Sequence, residues 1–316
     1  MLGFLNFYKP LGCTSHDCVA QIRRALRTKK VGHGGTLDPA ASGVLPMAVG
    51  QATRLLPYLA EGKAYEATIR FGLKTTTDDL QGEVLETAAT EGLSLKTIEA
   101  LLPEFLGTIR QVPPRYSAIQ IQGQRLYKLA RAGEAVEVPE RTVTIHALRV
   151  LNWRTMPYPE LDLAVECGSG TYIRSLARDL GDRLGTGATL AALIRTQSSG
   201  FHLRESVTIE TVQTQGPGIL LTPLQVLTHL EIVSLEPEDL LRWRRGQAIP
   251  LQPQMRLQSQ TEPSQIESLP AESFQAERAV LVCDQGGECL GLGQVYHADP
   301  NLLKPKVVFQ ENDRLS

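Results

Sequence analysis

Residues 32–53, GHGGTLDPAASGVLPMAVGQAT, decide how this chain is read. Three glycines and a histidine lead to one carboxylate, Asp38, with Pro39 directly behind it. Gly32, Gly34 and Gly35 allow a turn, or the close approach of another molecule, where a side chain would clash. Pro39 fixes its own φ and removes a backbone donor, which places Asp38 in a rigid loop and not inside a helix. The apolar blocks Val44-Leu45 and Met47 to Val49 anchor that loop in a core. An isolated Asp-Pro reads as a turn. An acid at the end of a glycine run, against a long apolar floor, reads instead as a carboxylate preorganised for chemistry.

The chain has 316 residues, room for about two domains and a sizeable core. No apolar run approaches the roughly 18–20 residues of a membrane span. The opening MLGFLNFYKPLG lacks the basic head and cleavage site of a secretory signal. Cys13/Cys18 and Cys283/Cys289 have neither the spacing nor the histidines of a zinc site. Reduced thiols, no metal and a cytoplasmic location are the expectation.

Charge is unevenly placed. The net charge is −2, yet residues 1–60 carry seven cations (Lys9, Arg23, Arg24, Arg27, Lys29, Lys30, Arg54) against Asp17 and Asp38. Arg110, Arg115, Arg125, Lys128 and Arg131 form a second basic run with Tyr116 and Tyr127 interleaved. Either cluster alone reads equally as a solvated helix face. Together they offer a phosphate backbone somewhere to lie.

Around the Asp38 loop the pattern alternates between strand and helix signals. Residues 3–9 read as a strand, and residues 17–27 as a helix capped by Thr14 or Ser15, with Val19, Ile22 and Leu26 on one face. Behind the Asp38 loop a helical segment is expected to Leu59. Residues 63–71 alternate as a strand that puts Tyr65, Ala67 and Ile69 on one face. Residues 72–82 form a polar turn, in which Asp78-Asp79 reads as an Asx-type turn before it reads as a magnesium site. Residues 95–102 are helical. A long basic insertion, 110–140, follows, of a length that marks a functional or disordered loop. Strands are expected at 141–153 and 161–167, a helix at 176–184, and a repeat of that helical pattern at 190–195. After about Gly216 the character changes: residues 229–250 give a strand and a helix, 250–278 a polar Gln/Ser/Pro/Glu insert, and 279–309 two or three short strands.

Four motifs in order resemble one family. GHGGTLDPAASGVLPMAVGQATRL resembles the catalytic motif of the TruB-type pseudouridine synthases, which isomerise uridine 55 in the T-loop of tRNA. KPLGCTSHDCV at 9–19 is similar to the family's N-terminal motif, and KAYEATIRFGLKTTTDDLQGEV at 63–84 to its tyrosine motif. CGSGTYIRSLARDLGDRLG at 167–185 is similar to the arginine motif, with LAALIRTQSSGF at 190–201 behind it. The likeness spans about residues 3–210, and the tail resembles the RNA-binding PUA domain.

The resemblance implies roles residue by residue. Asp38 matches the catalytic aspartate, which acts without cofactor or metal on the C1′–N1 bond, by addition to C1′ or by assisting loss of the C2′ proton. Tyr65 matches the tyrosine that stacks on the target base and takes part in proton removal from C5, and Arg174 the arginine paired with the carboxylate. Tyr172 and Leu193 match the lining of the uridine pocket. His33 matches a histidine where the base leaves the stack, and Lys9 a structural lysine. Thr76 departs from the family, which often has an acid there. The implied fold is α+β: a catalytic domain (1–228) on a mostly antiparallel mixed sheet with a central cleft, and a small β-rich PUA-like domain (229–316). The implied partner is the tRNA T-arm, gripped by the 110–140 insertion, for a monomer with no membrane and no obligatory protein partner. A guide-RNA-dependent synthase and a non-catalytic tRNA-binding or folding protein are the alternatives. A sugar hydrolase would need two carboxylates, and the sequence places no second acid beside Asp38.

Overall fold

The structure is a computed structural model, and it describes residues 1–117, 120–121, 124–125, 138–251, 278–296 and 299–310. Strand β1 (Leu2–Lys9) leads into helix α1 (Ser15–Ala25), then strands β2 (Val31–His33) and β3 (Ala41–Gly50). A 3-10 segment (Gln51–Tyr58) precedes β4 (Lys63–Phe71) and the hairpin β5 (Leu73–Thr75) and β6 (Val84–Thr87). Helix α2 (Leu95–Leu101), β7 (Gly107–Gln111) and the short β8 (Gln120–Ile121) and β9 (Gln124–Arg125) follow. Next come β10 (Arg141–Arg154), β11 (Glu160–Cys167), α3 (Ile173–Arg183), β12 (Ala188–Ser198) and β13 (Phe201–His202). Helices α4 (Ile209–Gln215) and α5 (Pro223–Val226) lead to β14 (Glu231–Ser234), α6 (Pro237–Arg244) and β15 (Ile249–Pro250), and the chain closes with β16 (Arg278–Cys283), β17 (Cys289–Tyr296) and β18 (Asp299–Val308).

Local chemistry explains the ends and faces of these elements. Thr14 caps α1 and forms a reciprocal box with Asp17, satisfying orphan donors of the first turn. Cys18, Val19, Ile22 and Leu26 then bury one face of α1 against Leu5, Phe7 and Met47. In β4, Tyr65, Ala67, Ile69 and Phe71 are buried at a period of two, as the alternation requires. They pack with Ile173, Leu176, Ala177 and Leu180 of α3.

The large sheet runs β1-β3-β12-β4-β11-β10-β7, with β2 also paired to β3 and β13 to β12. Its ladders are antiparallel except β3 with β12, so the sheet is mixed and mostly antiparallel as expected. One edge of β3 is shared: Ala41 to Gly43 pair with Leu193 to Arg195 of β12, and Met47 to Val49 pair with β2. The segment 34–40 therefore lies in the fork between β2 and β12. At the crossing, Gly43 has φ +112° and a Cβ there would sit 2.3 Å from the Arg195 carbonyl oxygen. A side chain is excluded at this position.

Two sequence expectations are corrected. The helix expected behind Asp38 is the strand β3 and then the 3-10 turn. All ten residues of β3 are buried, and a strand covered on both faces is a continuous apolar run without period. The helix expected at 190–195 is β12. Register shifts at 190/192 and 195/197 break its alternation, leaving buried positions at Leu190, Leu193, Arg195 and Ser198, a spacing that imitates a helix.

At the sheet edge Gln111, the last residue of β7, pairs with Arg141, the first of β10, so the two ends of the segment between them lie side by side. Lys128, Arg131 and Tyr127 lie outside the described residues, as does the polar insert from 252 to 277. The second sheet runs β14-β16-β17-β18-β15 around the fully buried Trp243. Leu281, Leu292, Val307 and Phe309 share one apolar core with Phe4, Val44 and Ala48 of the large sheet. Each of these side chains except that of Ala48 contributes about 1.5–3 kcal/mol on burial. The Gln51 amide also bonds Gln310 N and O, so the small sheet is docked firmly on the back of the large one.

Candidate active site

The segment 34–40 is clamped from below by two cations that have no carboxylate partner among the described residues. Arg195, fully buried, donates from Nε to Val44 O (2.7 Å), from Nη1 to Thr36 O (3.2 Å) and from Nη2 to Gly35 O (3.2 Å). Lys9, also fully buried, donates from Nζ to Ala41 O (2.6 Å) and Pro10 O (3.0 Å), and burial pushes its pKa down. Ser15 Oγ donates to Leu37 O (3.0 Å) and accepts from Leu37 N (2.9 Å), while Gly12 N donates to Pro39 O (2.9 Å). Backbone on both sides of Asp38 is thus fixed, and the Asp38 side chain keeps 39% of its surface exposed. The structural role implied for Lys9 agrees with this arrangement.

Arg174, one residue into α3, reaches Asp38. Its Nη2 lies 2.8 Å from Asp38 Oδ2 and donates to Tyr116 O (3.2 Å), and its Nη1 donates to Thr77 O (3.1 Å). The same Nη1 stands 3.7 Å from Oδ2 of Asp79. A second acid therefore does enter the site, contrary to the sequence reading. Asp79 Oδ1 accepts from Thr77 Oγ1 (2.5 Å) and Gln81 N (3.0 Å), the Asx-type turn expected there. With one oxygen held by its own turn and the other facing Arg174, Asp79 braces the guanidinium. It does not flank a bond as a hydrolase acid would. Arg178 ties the same turn and the base of the insertion together, with Nη1 on Asp78 Oδ2 (2.8 Å) and Nη2 on Val112 O (2.8 Å).

Asp38 and Arg174 stand where three cavities meet. An inner one of about 330 Å³ is lined by Tyr65, Tyr172, Leu193 and Lys63. A neighbouring one of about 270 Å³ has Leu11, Leu80, Leu190 and Leu193. A wider mouth of about 850 Å³ has His16, His33 and Tyr116. The structure thus gathers Asp38, Tyr65, Tyr172, Arg174 and Leu193 at one cavity and puts His33 at the mouth, not inside. His33 Nδ1 accepts from Gly35 N (3.3 Å), and burial lowers its pKa, keeping the ring neutral. Burial raises the pKa of Tyr65 and of Tyr172, so both are neutral phenols at rest. Tyr172 is oriented by Gln111, which accepts from its N (3.1 Å) and donates to its O (3.3 Å).

Sequence reasoning gave Asp79 only as a turn residue and did not bring Gln111 or Arg195 to the site. Arg195 carried a usable signal, a lone cation within an apolar run. Asp79 and Gln111 reach the site from 95 and 61 residues before their partners, Arg174 and Tyr172, contacts that no local pattern announces. Such a site can hold a flat, polar ring on an aromatic wall with one carboxylate at its edge.

Comparison with known proteins gives the family. Residues 23–173 match the family model described as TruB family pseudouridylate synthase (N terminal domain), and residues 174–216 match the tRNA pseudouridylate synthase B C-terminal domain. A Synechocystis protein named tRNA pseudouridine synthase B is 52% identical over 98% of this chain and 100% of its own. A Gloeobacter violaceus protein of the same name is 55% identical over 79% of this chain and 87% of its own. Among solved structures, a Cbf5-Nop10-Gar1 complex matches with a TM-score of 0.68 at 25% identity, covering 98% of this chain and 86% of that one.

Proposed function

The chain belongs to the TruB family of pseudouridylate synthases, and on that premise we propose that it converts uridine 55 in the T-loop of tRNA to pseudouridine, as a stand-alone enzyme. The observation that carries the reading is the ion pair of Arg174 with Asp38 at the edge of a cavity walled by Tyr65. A base stacked in a folded loop is out of reach of that carboxylate, so it must be flipped into the cavity. Flipping costs on the order of a few kcal/mol, offset by contacts to the RNA backbone.

Within the cavity the uracil lies on Tyr65, with Tyr172 and Leu193 around it and C1′ toward Asp38. The C1′–N1 bond breaks, the ring turns, C5 bonds to C1′, and the proton lost from C5 is balanced by one gained at N1. Asp38 supplies an anionic oxygen to the ribose, Tyr65 carries the base and relays the C5 proton, and Arg174 holds the carboxylate in place. His33, at the mouth, fills the place the base vacates. Residues 1–228 serve as the catalytic domain and 229–316 as a PUA-like RNA-binding domain of a cytoplasmic monomer. Among the described residues no helix is long and apolar enough to cross a membrane.

The test is direct: purified protein and an unmodified tRNA transcript, with pseudouridine mapped at single-nucleotide resolution. Product confined to the T-loop uridine is expected. Tight binding without product would instead favour a guide-dependent enzyme or an RNA-folding protein.

Affinity is also expected to be steeply salt-dependent. Arg24 in the last turn of α1 and Arg27 and Lys29 just beyond it are exposed, on the same chain segment that leads to His33 at the mouth. Neutralising about five phosphates lowers tRNA affinity by roughly 10²–10³-fold between about 50 and 200 mM salt. A flat response in a filter-binding titration would remove the basic surface from the binding site.

A further inference from the structure

Lys63 opens β4 two residues before Tyr65, so both side chains stand on one face of the strand, about 7 Å apart along it. It lines the inner cavity with Tyr65, Tyr172 and Asp38. Among the described residues its ammonium makes no hydrogen bond and no ion pair. Burial lowers its pKa, and Arg195 beside it acts in the same direction. The bare α-carbon of Gly35 marks the contact: a Cβ there would lie 3.7 Å from Lys63 Nζ and 4.0 Å from Arg195 Nη1. Two cations therefore adjoin the Gly35 backbone, next to Thr36 of the cavity wall. A half-buried ammonium with no partner is costly unless something negative arrives to meet it.

We propose that Lys63 is a catalytic residue, its ammonium donating to a carbonyl oxygen of the uracil ring while the ring is an anion detached from the ribose. This rests on the reading of the inner cavity as the uridine pocket. The strand register fixes which part of the nucleotide faces it. Asp38 precedes Ala41, Ala41 pairs with Leu193, and Leu193 pairs with Ala67, on the far side of Tyr65 from Lys63. Lys63 pairs with Ser198 at the other end. A nucleoside with C1′ at Asp38 and its base over Tyr65 thus points C4 and its carbonyl oxygen, on the distal edge opposite N1, toward Lys63. The phosphates leave with the sugar, toward the Asp38 end.

The chemistry calls for a cation at that edge. When C1′–N1 breaks, the bonding pair stays on the base, and its charge spreads over N1, O2 and O4. Turning the ring about its N3–C6 axis exchanges N1 with C5 and, at the same time, O2 with O4. A cation at the distal edge therefore meets a carbonyl oxygen before the turn and again after it. C5 then bonds to C1′, the C5 proton leaves, and N1 is protonated, so no other reactant is consumed. A preorganised cation at a place where charge develops is the arrangement that lowers such a barrier.

The test compares wild type, Lys63→Met and Lys63→Gln, with folding checked by thermal denaturation. For both variants, single-turnover formation of pseudouridine at saturating protein is expected to slow about 100-fold. Their tRNA affinity should stay within about twofold of wild type, because the contact forms only as charge develops. Wild-type rates in either variant would overturn the proposal, and in Lys63→Gln they would show that a neutral donor suffices. Weakened binding with an unchanged bound-state rate would also overturn it, making Lys63 a phosphate contact. A wild-type protein that makes no pseudouridine would instead remove the functional reading and the proposal with it.

Discussion

Asp38→Asn lowers single-turnover pseudouridine formation by about 10⁴-fold or more, a loss of roughly 5.5 kcal/mol of transition-state stabilisation. The amide matches the carboxylate in shape and keeps a carbonyl oxygen for Arg174, but it has no negative charge. Both routes open to the chemistry, addition to C1′ and withdrawal of the C2′ proton, require an anionic oxygen at this position. Binding should survive. Arg174 remains held by Thr77 O and Tyr116 O with Asp79 nearby, and the loop backbone is fixed by Lys9, Ser15 and Arg195, none of which bonds the Asp38 side chain. Stability should change by less than about 1 kcal/mol, because the ion pair being altered is partly solvent-exposed. The measurement is a rapid-quench time course with protein in excess, alongside a tRNA binding isotherm. Activity within tenfold of wild type would take Asp38 out of the chemistry.

How far the sequence could be read depends on whether a contact is local. The alternation of residues 63–71 exposes Tyr65 to a reader at once, because a half-covered strand writes its two faces into its period. Thr14 and Asp17 announce the start of α1 for the same reason, since the cap is complete within four residues. The two strands that build the floor, β3 and β12, were hidden. One is buried throughout, and the other has two register shifts, so neither shows a strand period. The fork that cradles Asp38 depends on both, and so it too was invisible. Asp79 was legible as a turn residue and illegible as a neighbour of Arg174, because its turn is local and its ion pair is not. The family resemblance compensated at Arg174 and Tyr172, whose places near Asp38 no alternation reveals.

Arg195→Met is expected to be nearly as damaging to function while acting on the loop instead of the substrate. The guanidinium is enclosed, with three backbone carbonyls and, among the described residues, no carboxylate as partners. Replacing a buried charge by an apolar side chain can be neutral when the whole polar group disappears. Here the carbonyls stay behind. Val44 O is buried and loses a charge-assisted bond, whereas Gly35 O and Thr36 O are partly buried, and water can reach them. The cost in unfolding free energy is therefore about 2–4 kcal/mol, less than the sum of three such bonds. The kinetic cost is larger, because the same fork fixes the loop that carries Asp38 and stands beside the Tyr65 side chain. A displacement of about 1 Å at a reacting group costs roughly 10²-fold, and loss of the cation beside Tyr65 about tenfold more, so about 10³-fold is expected in single turnover. Arg195→Lys separates the two effects. A lysine keeps the charge but can serve one carbonyl well, not three in a fixed fork, so stability should recover in part while the rate stays low. Urea unfolding and single-turnover kinetics on the two variants decide the matter. A methionine variant as stable and as fast as wild type would show that the ladder between β3 and β12 holds the loop without the clamp. Lost stability with full turnover would confine Arg195 to the fold.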